Sequence, residues 1–296
     1  MQPTDREIQF EELRPLLFGL AYRMLGIRAD AEDVVQETYL RWQSALADEV
    51  RSPKSYLTTI VARLALDGLK AAHRQRETYV GPWLAEPLVE PVGTKHVEMA
   101  ESLSLAFLRL LESLSPVERV GFLLREVFDA SYEEVAAALN TNESNSRQIV
   151  ARARKHIQEG RPRFEVDRDR QSAVLREFLT ACSTGDPTLL TAMLSKDAVL
   201  FSDGGGKASA ALNPIVGADR VVRFLIGIGR KIPALSIEFA EVNGGVGALL
   251  RDAGRPYSVV SLDVTAEGLI ANLYLVTNPD KLPRQANLDA PRQSPK

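Results

Sequence analysis

Asp30-Ala31-Glu32-Asp33-Val34-Val35-Gln36-Glu37-Thr38-Tyr39-Leu40-Arg41-Trp42 reads as one helix with two unlike stripes. Val35, Tyr39, Trp42 and Leu46 recur at i, i+4, i+7 and i+11, the spacing of a single buried face. Asp33, Gln36, Glu37 and Arg41 gather on the opposite side. Periodicity alone fits a solvated face as well as a docking face. Upstream, Leu13, Leu16, Leu17, Leu20, Met24 and Leu25 form a second helical stripe that ends at Gly26. Downstream, Ser52-Pro53 marks a new helix start. That helix carries Tyr56, Leu57, Ile60, Val61, Leu64 and Leu69 and runs into a basic end. Residues 5–77 therefore read as all-helical.

Charge is unevenly spread along the chain. The net charge of −3 excludes a uniformly basic coat, but residues 51–76 hold Arg51, Lys54, Arg63, Lys70, Arg74 and Arg76 against Asp67 alone. Residues 147–163 repeat the pattern, with Glu159 as their one carboxylate. Two basic islands, the first behind an acidic segment, suit a protein that touches DNA twice and a protein partner elsewhere. At 296 residues, two or three domains are expected. The lone Cys182 rules out an internal disulfide or a cysteine-rich zinc site. No apolar run is long enough to span a bilayer, and Met1-Gln2-Pro3-Thr4-Asp5 lacks a signal pattern, so a cytoplasmic protein without membrane contact is expected.

Residues 78–96 form a linker in which Pro82, Pro87 and Pro91 disfavour a helix and favour a semi-extended strap. Trp83-Leu84-Ala85-Glu86-Pro87-Leu88 within it needs a surface to dock on. Residues 97–161 are helical again. Ser115-Pro116-Val117-Glu118 and Ser131-Tyr132-Glu133-Glu134 are capping boxes. Asn140-Thr141-Asn142 breaks the second of these helices, and a further helix from Ser144 to Ile157 completes a helix-turn-helix. Ile149, Val150, Ala153 and Ile157 share its inner side; Arg147, Gln148, Arg152, Arg154 and Lys155 face out, as in a recognition helix for a major groove.

The pattern changes after residue 168. Two helices, one through Val174, Leu175, Phe178, Leu179 and Cys182 and one through Leu189, Leu190, Met193 and Leu194, precede strands at 198–202, 236–242, 257–265 and 269–276. A helix over 218–231 separates the early strand from the late ones. This order predicts an α+β domain over 168–283, followed by a tail over 284–296.

The acidic helix resembles region 2.2 of extracytoplasmic-function sigma factors, and Arg152-Ala153-Arg154 resembles their region 4.2. The third segment resembles the SnoaL/NTF2-like fold. Three strings, Trp83–Leu88, Asp203-Gly204-Gly205-Gly206-Lys207 and Asn278-Pro279-Asp280-Lys281-Leu282, resemble those of a sigma-factor group with a fused SnoaL-like extension. The resemblance implies two all-α sigma domains, the second with the helix-turn-helix, and then a cone-shaped α+β domain. It implies contact with core RNA polymerase, at the clamp helices and flap, through Asp33, Gln36, Glu37 and Arg41. It implies −10 DNA binding through Lys54, Arg63, Lys70, Arg74 and Arg76, and −35 binding through Arg147, Gln148, Arg152, Arg154 and Lys155. Trp83, Leu84, Glu86 and Pro87 would meet the other two strings, with Lys207 beside Glu86, in a regulatory contact that replaces a separate anti-sigma factor.

This chain departs from the family at Leu64, where an Asn is usual, and at Ala85, where a Pro is usual. No cofactor, metal or catalytic residue is implied, although the cone offers room for a small ligand. The alternative readings are a SnoaL-type enzyme or a ligand-sensing regulator with a DNA-binding appendage. The enzyme would draw on Asp203, Asp263, Tyr257 or Tyr274, which no spacing pairs, while His73, His96 and His156 lie outside the third segment.

Overall fold

A computed structural model describes residues 5–45, 50, 52–76, 78–92, 103–160, 167–232 and 235–283, the side chains of 73–76 and 160 excepted. Leu46, Arg51, His96, Arg161, Arg163, the side chains of His73, Arg74 and Arg76, and the tail over 284–296 lie outside the described residues. The chain divides into two compact units. The first joins Met1–Thr78 to Phe107–Arg161; the second joins Tyr79–Ala106 to Pro162–Lys296.

The first unit is helical. Helices α1 (Asp5–Leu25), α2 (Arg28–Ser44) and α3 (Pro53–Arg76) pack on one another around Leu17, Leu20, Tyr22, Met24, Leu57 and Val61. Gly26 takes φ +72 to end α1, a conformation glycine adopts without penalty. On α2 the inner stripe is Ala31, Val35, Thr38 and Trp42, one position off the expected Tyr39. Thr38 is tolerated inside because its hydroxyl donates to the Val34 carbonyl at 2.7 Å. Tyr39 is half-buried against Phe10, with ring centroids 4.8 Å apart.

After α4 (Leu105–Leu111), Ser115 and Ser131 cap α5 (Pro116–Phe122) and α6 (Tyr132–Leu139), each in a complete capping box. A π-helical turn, Leu123–Val127, follows α5. Asn140 closes α6 in the left-handed region, and the Asn142 side chain accepts the Asn145 N–H at the start of α7 (Glu143–Gly160). Helix α3 packs against α5 and α6, so the two halves of this unit share a core.

In the second unit, β1 (Val89–Pro91) comes from the linker. It is followed by α8 (Arg168–Thr184), α9 (Pro187–Met193), β2 (Leu194–Asp203), β3 (Ile215–Val216) and α10 (Ala218–Gly229), then β4 (Leu235–Val242), β5 (Gly245–Asp252), β6 (Arg255–Val264) and β7 (Ile270–Val276). The sheet order is β1-β4-β5-β6-β7-β2-β3, with β2 and β7 parallel and the other pairs antiparallel. Leu194 opens β2 rather than ending the helix before it. β5 was not expected from the sequence. Proline in the linker is compatible with β1 because that strand lies at the sheet edge. Phe178, Leu200, Val221, Leu262 and Leu273 lie in the core between one sheet face and the helices. Among the described residues, no helix is long and apolar enough to cross a membrane.

Candidate functional site

Three side-chain constellations stand out. On α2, Asp33, Gln36 and Arg41 are exposed and Glu37 is half-exposed, all on the side away from Val35 and Trp42. Arg41 donates to Glu37 across one helical turn at 2.8 Å. Trp42 is held from behind, its indole N–H donating to the Arg6 carbonyl at 2.9 Å. The polar face therefore stands on a rigid base.

The basic side chains divide by location. Ile149, Val150, Ala153 and Ile157 are buried on α7, while Arg147, Gln148, Arg152, Arg154 and Lys155 are exposed. Several of these cations already have partners. Arg147 pairs with Glu143 at 3.0 Å and lies over the Tyr132 ring; Arg154 pairs with Glu126 at 2.6 Å; Arg152 lies 3.6 Å from Glu118.

On α3, Lys54, Arg63 and Lys70 are exposed. Arg63 donates to the Ala137 carbonyl on α6 at 2.6 Å. The Ser55 hydroxyl, the Ser131 backbone and the nearby Lys54 charge hold the Glu134 carboxyl below its ordinary range. Two of the five expected −10 cations thus face the helix-turn-helix half of the same unit. Arg119 joins the halves more firmly. It is 3% exposed, donates to the Leu111 carbonyl at 2.9 Å and the Met24 carbonyl at 2.8 Å, and pairs with Glu112 at 2.7 Å.

In the second unit the linker is gripped by the two C-terminal strings. The Asp203 carboxylate is fully buried and accepts from the Tyr79 hydroxyl at 2.6 Å, the Leu84 N–H at 2.9 Å, the Gly205 N–H at 3.1 Å and Lys281 Nζ at 2.8 Å. Lys281 also donates to the Leu84 carbonyl at 2.6 Å and lies 4.2 Å from the centroid of the Trp83 ring. Asn278 donates to the Tyr79 oxygen at 2.9 Å. Burial, reinforced by the Asp203 carboxylate, pushes the Tyr79 phenol far above its ordinary range and keeps it a neutral donor.

Gly205 has φ +58, and a Cβ there would stand 2.3 Å from the Asn278 amide, so loop and segment meet with no room for a side chain. Lys207 pairs with Asp280. Leu84, Ala85 and Pro87 are buried and Glu86 is half-buried. Tyr79 and Asn243 were missed by the sequence reading. Asn243 accepts from the Leu88 N–H and donates its own N–H to the Leu88 carbonyl, just ahead of β1.

The families that match are sigma-70 region 2 over residues 9–75 and sigma-70 region 4 over residues 104–157. A curated relative, the ECF RNA polymerase sigma factor SigJ of Mycobacterium tuberculosis, is 37% identical over 291 residues, covering 92% of each chain.

This chain is an extracytoplasmic-function sigma factor.

The probable ECF sigma factor SigI of the same species is 35% identical over 216 residues, covering 70% of this chain and 71% of the relative. The crystal structure of M. tuberculosis SigJ superposes with a TM-score of 0.76 at 34% identity, over 93% of this chain and 97% of that one. In this sigma factor the two matched segments make up the helical unit, and an α+β sheet unit follows them.

Of the four residues considered for chemistry in the sheet unit, Asp263 and Tyr274 come together, away from the cavity, and Asp203 and Tyr257 stand apart from them. Asp203 is locked in the grip on the linker. Asp263 accepts from Tyr274 at 2.8 Å and Asn272 at 3.0 Å, and it alternates with the core residues Leu262 and Val264, so it lies on the other sheet face. Tyr257 alone of the four lines the cavity of about 500 Å³ between sheet and helices.

Cys182 lines the same cavity, and burial pushes its thiol up to about 12. At pH 8 that leaves on the order of a thousandfold less thiolate than an open cysteine carries. Native Cys182 should therefore react with Ellman's reagent at least a hundredfold more slowly than the urea-unfolded chain. The sign of the linkage is fixed: the folded pKa lies above the unfolded one, near 8.5. The stabilisation is complete below pH about 8.5 and is lost as pH climbs towards 12.

Proposed function

We propose that the chain binds core RNA polymerase in the cytoplasm and directs it to promoters, and that its sheet unit governs how far the two DNA-reading halves can separate. Asp33, Gln36, Glu37 and Arg41 dock on the polymerase. Lys54, Arg63, Lys70, Arg74 and Arg76 hold the −10 element as it opens, and Arg147, Gln148, Arg152, Arg154 and Lys155 read the −35 element. Phosphate contacts give this binding its salt dependence. Replacing Arg147 and Lys155 together by Ala should make the slope of log affinity against log salt shallower by about 1.8 if each meets one phosphate. Binding titrations between 50 and 200 mM salt measure it.

One observation carries the regulatory part. The residues that join the two sigma halves, Tyr79 onward, belong structurally to the sheet unit: they are gripped by Asp203, Asn278 and Lys281, and they supply β1. Elements named for positions 10 and 35 upstream are about 25 base pairs apart, about 85 Å of duplex. A compact unit of about 130 residues has a radius of gyration of about 14 Å. The packed halves cannot reach both elements, so Arg63 must leave Ala137 and the halves must part. How much strap is free then sets the span, in the role that a separate anti-sigma factor plays elsewhere, and an occupant of the cone would bias it.

Dyes at Gln43→Cys and Gln158→Cys test this. Energy transfer should be high in the free chain and fall steeply with core polymerase and promoter. Unchanged transfer in a transcribing complex would contradict the reading.

A further inference from the structure

The cavity in the sheet unit has a chemical polarity of its own. Phe178, Leu250, Val260 and Leu275 are among the apolar side chains that line most of it. Its volume, about 500 Å³, falls in the range of small-molecule sites. The lining holds no carboxylate and no lysine among the described residues, and its guanidinium, Arg230, is exposed. A cation has nothing to meet there, and an apolar body has a great deal.

One part of the lining is different. Ser202, Ser258 and Thr277 are 1%, 3% and 7% exposed. Each lines the cavity. A serine or threonine hydroxyl both donates and accepts, so each can meet a hydroxyl or a carbonyl of a molecule in the cavity. Together, on β2, on β6 and just past the end of β7, they make a polar floor to an otherwise apolar cavity. The register places them side by side, since Ser202 pairs with Leu275 on β7, and Val259 on β6 pairs with Val276, next to Thr277.

We infer that this cavity binds an uncharged, largely apolar small molecule whose hydroxyl or carbonyl end hydrogen-bonds to Ser202, Ser258 and Thr277. The floor is also the back of the linker grip. Ser202 precedes Asp203 and Thr277 precedes Asn278, and successive strand residues face opposite sides of a sheet. The Thr277 and Asn278 N–H groups both donate to the Asp203 carbonyl, at 2.8 and 2.9 Å. A ligand that orders the floor therefore orders the backbone that presents Asp203 and Asn278 to the strap. Binding itself stands on the cavity alone; only its effect on transcription rests on the regulatory reading above.

Two neutral dyes test it on the full chain: Nile red, which has a carbonyl, and diphenylhexatriene, a hydrocarbon. Both should bind saturably, one per chain, with enhanced emission. The double variant Ser258→Ala/Thr277→Val should weaken Nile red about fivefold or more, the value of one net hydrogen bond, and leave diphenylhexatriene within twofold. Leu250→Trp, which fills the cavity, should weaken both at least tenfold, with circular dichroism confirming that each variant is folded. Absence of saturable binding by either dye overturns the site. Equal effects of the double variant on both dyes overturn the polar floor. Nile red binding with unchanged run-off transcription would leave the site standing and remove the regulatory reading.

Discussion

Asp203→Ala should destabilise the sheet unit by about 3–5 kcal/mol and release the linker. The carboxylate is fully buried and accepts four hydrogen bonds, from Tyr79, Leu84, Gly205 and Lys281. Removing it strands the Lys281 ammonium, itself only 5% exposed, without its countercharge. An uncompensated buried charge is worse than a lost pair, because its desolvation is no longer offset by attraction. Chymotrypsin reports the release directly, since Trp83–Leu84 lies within the gripped segment. Cleavage there should be much faster in the variant, and the urea midpoint should fall. If cleavage and midpoint match the parent protein, Asp203 is not what holds the strap.

Arg119→Ala should have an effect of similar size in the helical unit, about 3–5 kcal/mol. The guanidinium bridges three partners from a 3% exposed position: the Met24 carbonyl in one half, and Leu111 and Glu112 in the other. Alanine takes the buried guanidinium away from the Glu112 carboxylate and both carbonyls, and opens a void where the long side chain lay. Lysine should not rescue it, because a single ammonium cannot reproduce the planar fork of donors. Since the bridge ties α1 to α5, energy transfer between the dyes at positions 43 and 158 should drop even without polymerase. A variant that melts with the parent protein and keeps its transfer would show that other contacts hold the halves together.

The sequence was most legible where local chemistry and tertiary packing agree. The capping boxes at Ser115 and Ser131, Asn140 as a helix stop, and the buried stripe of α7 all stand where their spacing placed them. Each is a short-range signal that packing does not override. β5 was missed because Gly245 and Gly247 depress strand propensity. Yet Gly247 is there for a packing reason: a Cβ would lie 2.3 Å from Val242. The usable signal was Asn243-Gly244, both at positive φ between paired Val242 and Gly245, as a two-residue hairpin turn requires.

Of the grip on the linker, the three strings were visible but their wiring was not. Tyr79 and Asn243 lie outside them and act over separations of 124 and 155 residues, beyond any local pattern. Nor did composition show that Lys54 and Arg63 face the helix-turn-helix half, because exposure on a helix does not say what stands opposite it.

Run-off transcription with purified core polymerase on a promoter library tests the central claim most directly. The full chain and a variant with Asp33, Gln36 and Glu37 all changed to Ala should be compared side by side. The account predicts selective transcripts from a subset of promoters with the full chain, and loss of both core binding and transcripts with the variant, whose changes lie away from the buried stripe of α2 and leave its fold intact. Equal transcription from both would remove the assigned polymerase face. No transcription and no core binding by the full chain would contradict its action as a sigma factor.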